Sequence, residues 1–113
     1  MEMQELRELK ESELLTIMRE QPDKADAVLF VTPLCGTCKL AERMLAIVQI
    51  ASPELKLFKI NINYAPHLRN EWKLTSVPAL VILQDGSVVR TEYALHSVDY
   101  VHALMTNRKE AGQ

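Results

Sequence analysis

Apolar and polar positions along the chain follow two periods, and the switches between them outline its elements. Met3–Leu9 sets Leu6 and Leu9 among polar neighbours, the pattern of a short edge strand or of the start of a helix. Leu14, Leu15, Ile17 and Met18 then recur at helical spacing, with Ser12 placed to cap the helix and Pro22-Asp23 to stop it. Ala27–Thr32 (AVLFVT) is a continuous apolar run with β-branched and aromatic residues, which predicts a strand buried on both faces. Pro33 breaks it. From Cys35 onward, Leu40, Ala41, Met44, Leu45, Ile47 and Val48 lay an apolar stripe on a helix that runs to about Ala51, where Ser52-Pro53 punctuates the chain.

Leu55–Ile60 (LKLFKI) alternates as a strand does. Asn63–Lys73 reads as a short helix with Asn63 as its cap and Pro66 in the first turn, where a missing N–H costs little. Ala79–Leu83 is apolar and β-rich, and Asp85-Gly86 supplies the positive φ of a tight hairpin, so Val88–Glu92 should return antiparallel. Ser97 can cap a last helix, with Asp99 in its first turn and Arg108 and Lys109 near its end. The elements alternate as an α/β fold does: a mixed central sheet of four or five strands with helices on both faces, parallel crossovers first and a hairpin later.

Length and composition narrow the function classes. At 113 residues the chain is expected to be one domain, and 48% hydrophobic against 25% charged residues is ordinary globular composition. The formal charge is -2, so no basic excess exists to neutralise phosphates, and nucleic acid is not an expected partner. The opening MEMQELRELKESELL is charged throughout, unlike the apolar core of a signal peptide. The longest apolar stretch, Val77–Leu83, is far short of the ~18 residues a bilayer requires. A cytoplasmic protein with no membrane partner is therefore expected. In that reducing setting two cysteines are poor material for a disulfide framework and better suited to chemistry.

Those cysteines stand in Cys35-Gly36-Thr37-Cys38, at the junction of a buried strand and an amphipathic helix. Two intervening residues amount to one helical turn, which brings the sulfurs near enough to bridge. The first cysteine meets the helix N-terminus, where unpaired N–H groups and the positive end of the dipole favour a thiolate. Gly36 leaves room for a substrate backbone to approach Cys35, and Thr37 carries a hydroxyl inside the turn. The same Cys-x-x-Cys is also half of a zinc site. Its remaining ligands would have to come from His67, His96 and His102, none at metal-type spacing to another, and no metal is expected. Singly, these histidines read as solvated surface residues, with His96 set apart only by its place just beyond Ala94-Leu95; Met44, Met105 and Trp72 read as packing.

Leu34-Cys35-Gly36-Thr37-Cys38-Lys39 after an apolar strand, Lys59 on the next strand and Ser76-Val77-Pro78-Ala79 before a third together resemble the thioredoxin family. The Asp85-Gly86 hairpin and the terminal helix extend the resemblance from about Leu6 to Leu104. It implies a thioredoxin-like fold and a thiol–disulfide oxidoreductase in which Cys35 is the nucleophile and Cys38 the resolving thiol. Gly36, Thr37 and Lys59 would then tune the pair, while Leu34, Val77, Pro78 and Ala94 line the substrate site. Pro78 would follow a cis peptide bond beside the disulfide, and the Val77 main chain would offer N–H and C=O groups to an extended peptide. No cofactor is implied beyond the Cys35–Cys38 disulfide. The implied partners are disulfide-bearing proteins or small thiols and an upstream reductant, met by a monomer.

Several positions depart from the family pattern. Leu34 replaces the tryptophan before the first cysteine, Gly36-Thr37 the Gly-Pro dipeptide, and Arg43 the proline of the active-site helix. Ala94 stands where a glycine is common. Leu29 occupies the place of the buried acid that accepts the second thiol's proton, leaving Lys59 as the only matched charge near the pair and water as the proton carrier. Leu29 and Leu34 support an alternative, a binding module or redox sensor on the same scaffold without catalytic turnover.

Overall fold

The computed structural model describes residues 5–108. Five strands form one mixed sheet in the order β1-β3-β2-β4-β5: β1 Arg7–Glu8, β2 Ala27–Val31, β3 Leu57–Asn61, β4 Ala79–Gln84 and β5 Ser87–Glu92. The β1, β3 and β2 strands run parallel, and β4 and β5 join antiparallel. Four helices cover the sheet: α1 Glu11–Glu20, α2 Gly36–Ala51, α3 Pro66–Glu71 and α4 Val98–Thr106.

Strand alternation sorts the core into two halves. Ala27, Leu29 and Val31 of β2, with Leu57, Leu80 and Ile82, pack under α2 and α4 against Cys38, Leu45, Val48, Val101 and Met105. Val28 and Phe30, with Phe58, Ile60, Val81 and Leu83, face Leu14 of α1 and Leu68 of α3 on the other side. Being buried on both faces is why β2 reads as an unbroken apolar run. Trp72 packs edge-on against Phe30, their centroids 5.9 Å apart. The β4–β5 hairpin turns at Asp85 and Gly86, with φ of +53° and +82°. A Cβ at Gly86 would also lie 3.2 Å from the Met18 carbonyl and from Pro22, so the turn is pressed onto the end of α1.

The element order agrees with the sequence reading, and the local devices differ in places. The Met3–Leu9 pattern yields only the two-residue β1, parallel to β3 at the sheet edge; Met3 and Gln4 lie outside the described residues, as does Lys109. Ser12 is not the cap of α1: the helix begins at Glu11, and the Glu13 carboxylate accepts from the Lys10 N–H at 2.9 Å. Asn63 is not the cap of α3 either. Asn61 accepts from the Asn63 N–H at 2.9 Å to start a 3-10 turn over Ile62–Tyr64, and α3 follows from Pro66. The buried stripe of α2 is Cys38, Ala41, Leu45, Ala46 and Val48, while Leu40 and Ile47 face outward. Ser97 does cap α4, accepting from the Tyr100 N–H at 3.1 Å.

Candidate active site

The strand β2 ends under the sheet's α2 side, and Pro33 and Leu34 turn the chain so that Cys35 becomes the N-cap of α2. At an N-cap a side-chain atom satisfies an orphan N–H of the first turn. Here that atom is sulfur: the Cys38 N–H donates to Cys35 Sγ at 3.1 Å. The Thr37 hydroxyl lies 3.3 Å from the same sulfur. All of these contacts favour a charged sulfur. The Cys35 pKa is held below the ordinary thiol value by hydrogen bonding from the Cys38 thiol first, the Thr37 hydroxyl second, and the two backbone N–H groups.

Cys38 has the opposite environment. Its side chain is fully buried among Leu29, Ala41, Leu80 and their neighbours, and burial pushes its pKa up to about 11, with its hydrogen bond to Cys35 adding to the rise. Both cysteines are free thiols. Four residues of chain therefore hold one half-exposed sulfur made acidic and one buried sulfur kept protonated.

Beside Cys35 an apolar groove is lined by Thr37, Leu40, Val77, Pro78, Tyr93 and Ala94, with His96 at its edge. The Val77–Pro78 peptide bond is cis. Gly36 has open space where a Cβ would stand, so the approach to Cys35 over it is unobstructed. Leu34 is not among the groove residues: it projects 99% exposed from the loop. Leu40 and Tyr93 were not among the sequence candidates. In the sequence Leu40 fits the apolar stripe of the helix, and Tyr93 carries no motif. Met44, expected to be packing, lies partly buried between the core and this groove.

Lys59 is directed to the same layer as the cysteines, because it shares the α2 face of β3 with Leu57. Its Nζ donates to Glu42 Oε1 at 2.8 Å, both side chains about one-fifth exposed. Lys59, the only charge near the pair matched to the family pattern, is thus joined by Glu42, whose charge contributes to the raised Cys38 pKa. The signal was legible, since Cys38 and Glu42 are four apart on one helix and must share a face. Leu29 is wholly buried, directly beside Lys59 in the β2–β3 register. Among the described residues the buried acid is instead Asp26, which precedes β2 and so lies a strand's length, about 17 Å, from the turn that carries Cys35. Asp26 accepts from the Lys56 N–H and pairs with Arg108, both at 2.7 Å.

The three histidines are engaged separately, His67 with Glu71, His96 edge-on to Tyr100 and His102 with the Ser52 hydroxyl. Among the described residues no three His, Cys, Asp or Glu side chains converge as metal ligands.

A five-stranded α/β sheet with a Cys-x-x-Cys turn at a helix N-terminus and a cis-proline loop beside it defines a dithiol protein of thioredoxin architecture. The chain belongs to the thioredoxin family, whose model matches residues 6–106. It is 33% identical over 106 residues to the thioredoxin-like protein YusE of Bacillus subtilis (strain 168), covering 94% of this chain and 96% of that one. A thioredoxin of Chlamydia trachomatis is 24% identical over 80 residues, 71% of this chain and 78% of that protein. Among solved structures, thioredoxin f2 of Chlamydomonas reinhardtii superposes with a TM-score of 0.78 at 21% identity, over 96% of this chain and 99% of that one, a likeness of fold.

Proposed function

We propose that the protein is a thiol–disulfide oxidoreductase that reduces disulfides through Cys35 and Cys38. The observation that carries this reading is the opposed state of the two sulfurs: one capped by N–H and hydroxyl donors at 3.1 and 3.3 Å, the other buried and protonated. The Cys35 thiolate attacks a substrate disulfide, forming a mixed disulfide and expelling one substrate thiolate. Cys38 then attacks Cys35 Sγ, the Cys35–Cys38 bond forms, and the second substrate sulfur leaves as thiolate. Holding Cys38 one turn away makes the second step intramolecular and fast. The substrate gains two electrons and the dithiol loses them, so an upstream thiol reductant has to restore it.

The groove suits an extended apolar segment flanking the substrate cysteine, with Val77 main-chain groups to pair its backbone and Leu40, Val77 and Tyr93 to meet its side chains. The reading is of a cytoplasmic reductant acting as a monomer, as the charged opening segment and the reducing chemistry suggest; no helix among the described residues is long and apolar enough to cross a membrane.

The test is reduction of a protein disulfide with dithiothreitol as electron source. Wild type should accelerate it many-fold and repeatedly, Cys35→Ser should not, and Cys38→Ser should arrest as a mixed disulfide on Cys35. Oxidation of Cys35 and Cys38 without repeated turnover would instead identify a redox sensor, the reading that Leu29 and Leu34 support. An adduct on Cys38 in place of Cys35 would reverse the roles.

A further inference from the structure

The resolving step has an unassigned proton. Cys38 is fully buried, so its proton has no direct route to solvent, and the strand position facing it, Leu29, is apolar and wholly buried. Leu29 and Lys59 are register partners on the α2 face of the sheet, and with no carboxylate on the strand the Lys59 ammonium takes its counter-charge from the helix above. That counter-charge is Glu42, one turn beyond Cys38 on α2 and 2.8 Å from Lys59 Nζ. Glu42 and Lys59 each keep about one-fifth of the side chain exposed, against none for Cys38, and of the two only the Glu42 carboxylate is a proton acceptor. It can take a proton from the core and release it to water.

We propose that Glu42 is the proton acceptor for Cys38 in the resolving step, the carboxylate being supplied by helix α2 where strand β2 offers only Leu29. This rests on the dithiol exchange proposed above. As Cys38 Sγ bonds to Cys35 Sγ, its proton passes to the Glu42 carboxylate, and the substrate sulfur leaves with the electron pair of the broken bond. The proton then passes from Glu42 to solvent, where the departing thiolate is protonated.

The surrounding charges are consistent with a resting lock. The Glu42 charge, together with burial, keeps Cys38 protonated until Cys35 is engaged. Lys59 of β3 fixes Glu42 by the 2.8 Å bond; burial works against the Lys59 charge, but that bond and the Glu42 charge, with smaller help from Glu5 and Glu8, raise its pKa above the ordinary lysine value. From α4 the groups packed on this side of the sheet, Val101 and Met105, are apolar.

A chromophoric aromatic disulfide that releases one thiol on attack by Cys35 and a second on attack by Cys38 separates the two steps in stopped flow. In Glu42→Gln the second release should slow relative to the first by roughly ten- to a hundredfold at pH 7. The defect should close as pH rises towards the Cys38 ionisation, and acetate or imidazole should partly rescue it. The same variant should lower the Cys38 pKa, because a neighbouring negative charge is gone. A slower step from a more acidic thiol is the signature of a lost acceptor; a purely electrostatic or structural Glu42 would not produce it. Because Glu42→Gln strands a half-buried Lys59, the double variant Glu42→Gln/Lys59→Met, which leaves no lone charge, should show the same slowed second release. A second release at the wild-type rate or faster in both variants overturns the proposal. No second release from wild type would overturn the dithiol mechanism itself, and this assignment with it.

Discussion

Two ionisable groups are buried at opposite ends of β2, and the protein treats them in opposite ways. Asp26, before the strand, is met by a guanidinium and a backbone N–H at 2.7 Å each, so its charge is matched on both oxygens. Cys38, beyond the strand's other end, sits in an apolar layer that raises its pKa to about 11 and keeps it neutral. The first arrangement ties three segments together, the β2 entrance, the residue before β3 and the chain just past α4. The second withholds reactivity until a neighbouring sulfur presents a bond to attack. Burial alone therefore does not decide what a polar group does; its partners do.

Removing one partner at the Asp26 end should have the largest effect on stability. Asp26→Ala leaves Arg108 with no counter-charge, and the mostly buried pair predicts a loss of about 2–4 kcal/mol in urea unfolding. Turnover per folded molecule should stay near wild type. A fall in turnover larger than the fall in folded fraction would break the division between the two ends.

The Cys38 end should reveal itself through pH. A pKa raised in the fold from 9.0 to about 11 contributes stability that is whole below pH 9 and lost as pH climbs towards 11, because the unfolded chain gives up its proton first. The oxidised protein has no such thiol. Urea midpoints of the reduced form should therefore drop relative to the oxidised form across that window, and parallel curves would show that Cys38 is not desolvated as described.

A smaller effect is expected at Cys35. Thr37→Val removes the hydroxyl 3.3 Å from its sulfur, so the pH midpoint of iodoacetamide alkylation should move up and the rate at pH 7 should fall by roughly two- to fivefold. Thr37→Ser should retain the wild-type midpoint. The smallest is at the tip of the loop. Leu34→Ala touches a side chain that is 99% exposed and should shift stability by less than about 0.5 kcal/mol. A reduced rate with protein disulfides but not with dithiothreitol-sized ones would place Leu34 in partner contact.

How much of this was legible beforehand depended on the range of the interactions. The apolar run of β2, the Asp85-Gly86 turn and the Ser97 cap were readable because their causes lie within a few residues. The same locality misled where several residues could serve: Ser12 and Asn63 are good caps, yet Lys10–Glu13 and Asn61 took those places. Leu40 fitted the helical stripe, and only the direction from which the sheet meets α2 showed that it faces the groove instead.

At the site, chain neighbours alone placed Cys35 at a helix start and Cys38 one turn on, since spacing and the N-terminal N–H groups are local facts. Which sulfur is exposed, which is sealed, and that Glu42 rather than a strand carboxylate answers Lys59 were decided by packing. Face alternation in β3 and the seating of α2 over Leu29 bring together residues 17 apart in the chain, and such encounters depend on the assembled sheet. Hydrogen-bond reach is set by three-dimensional position, which one-dimensional spacing encodes only within a helical turn or a strand.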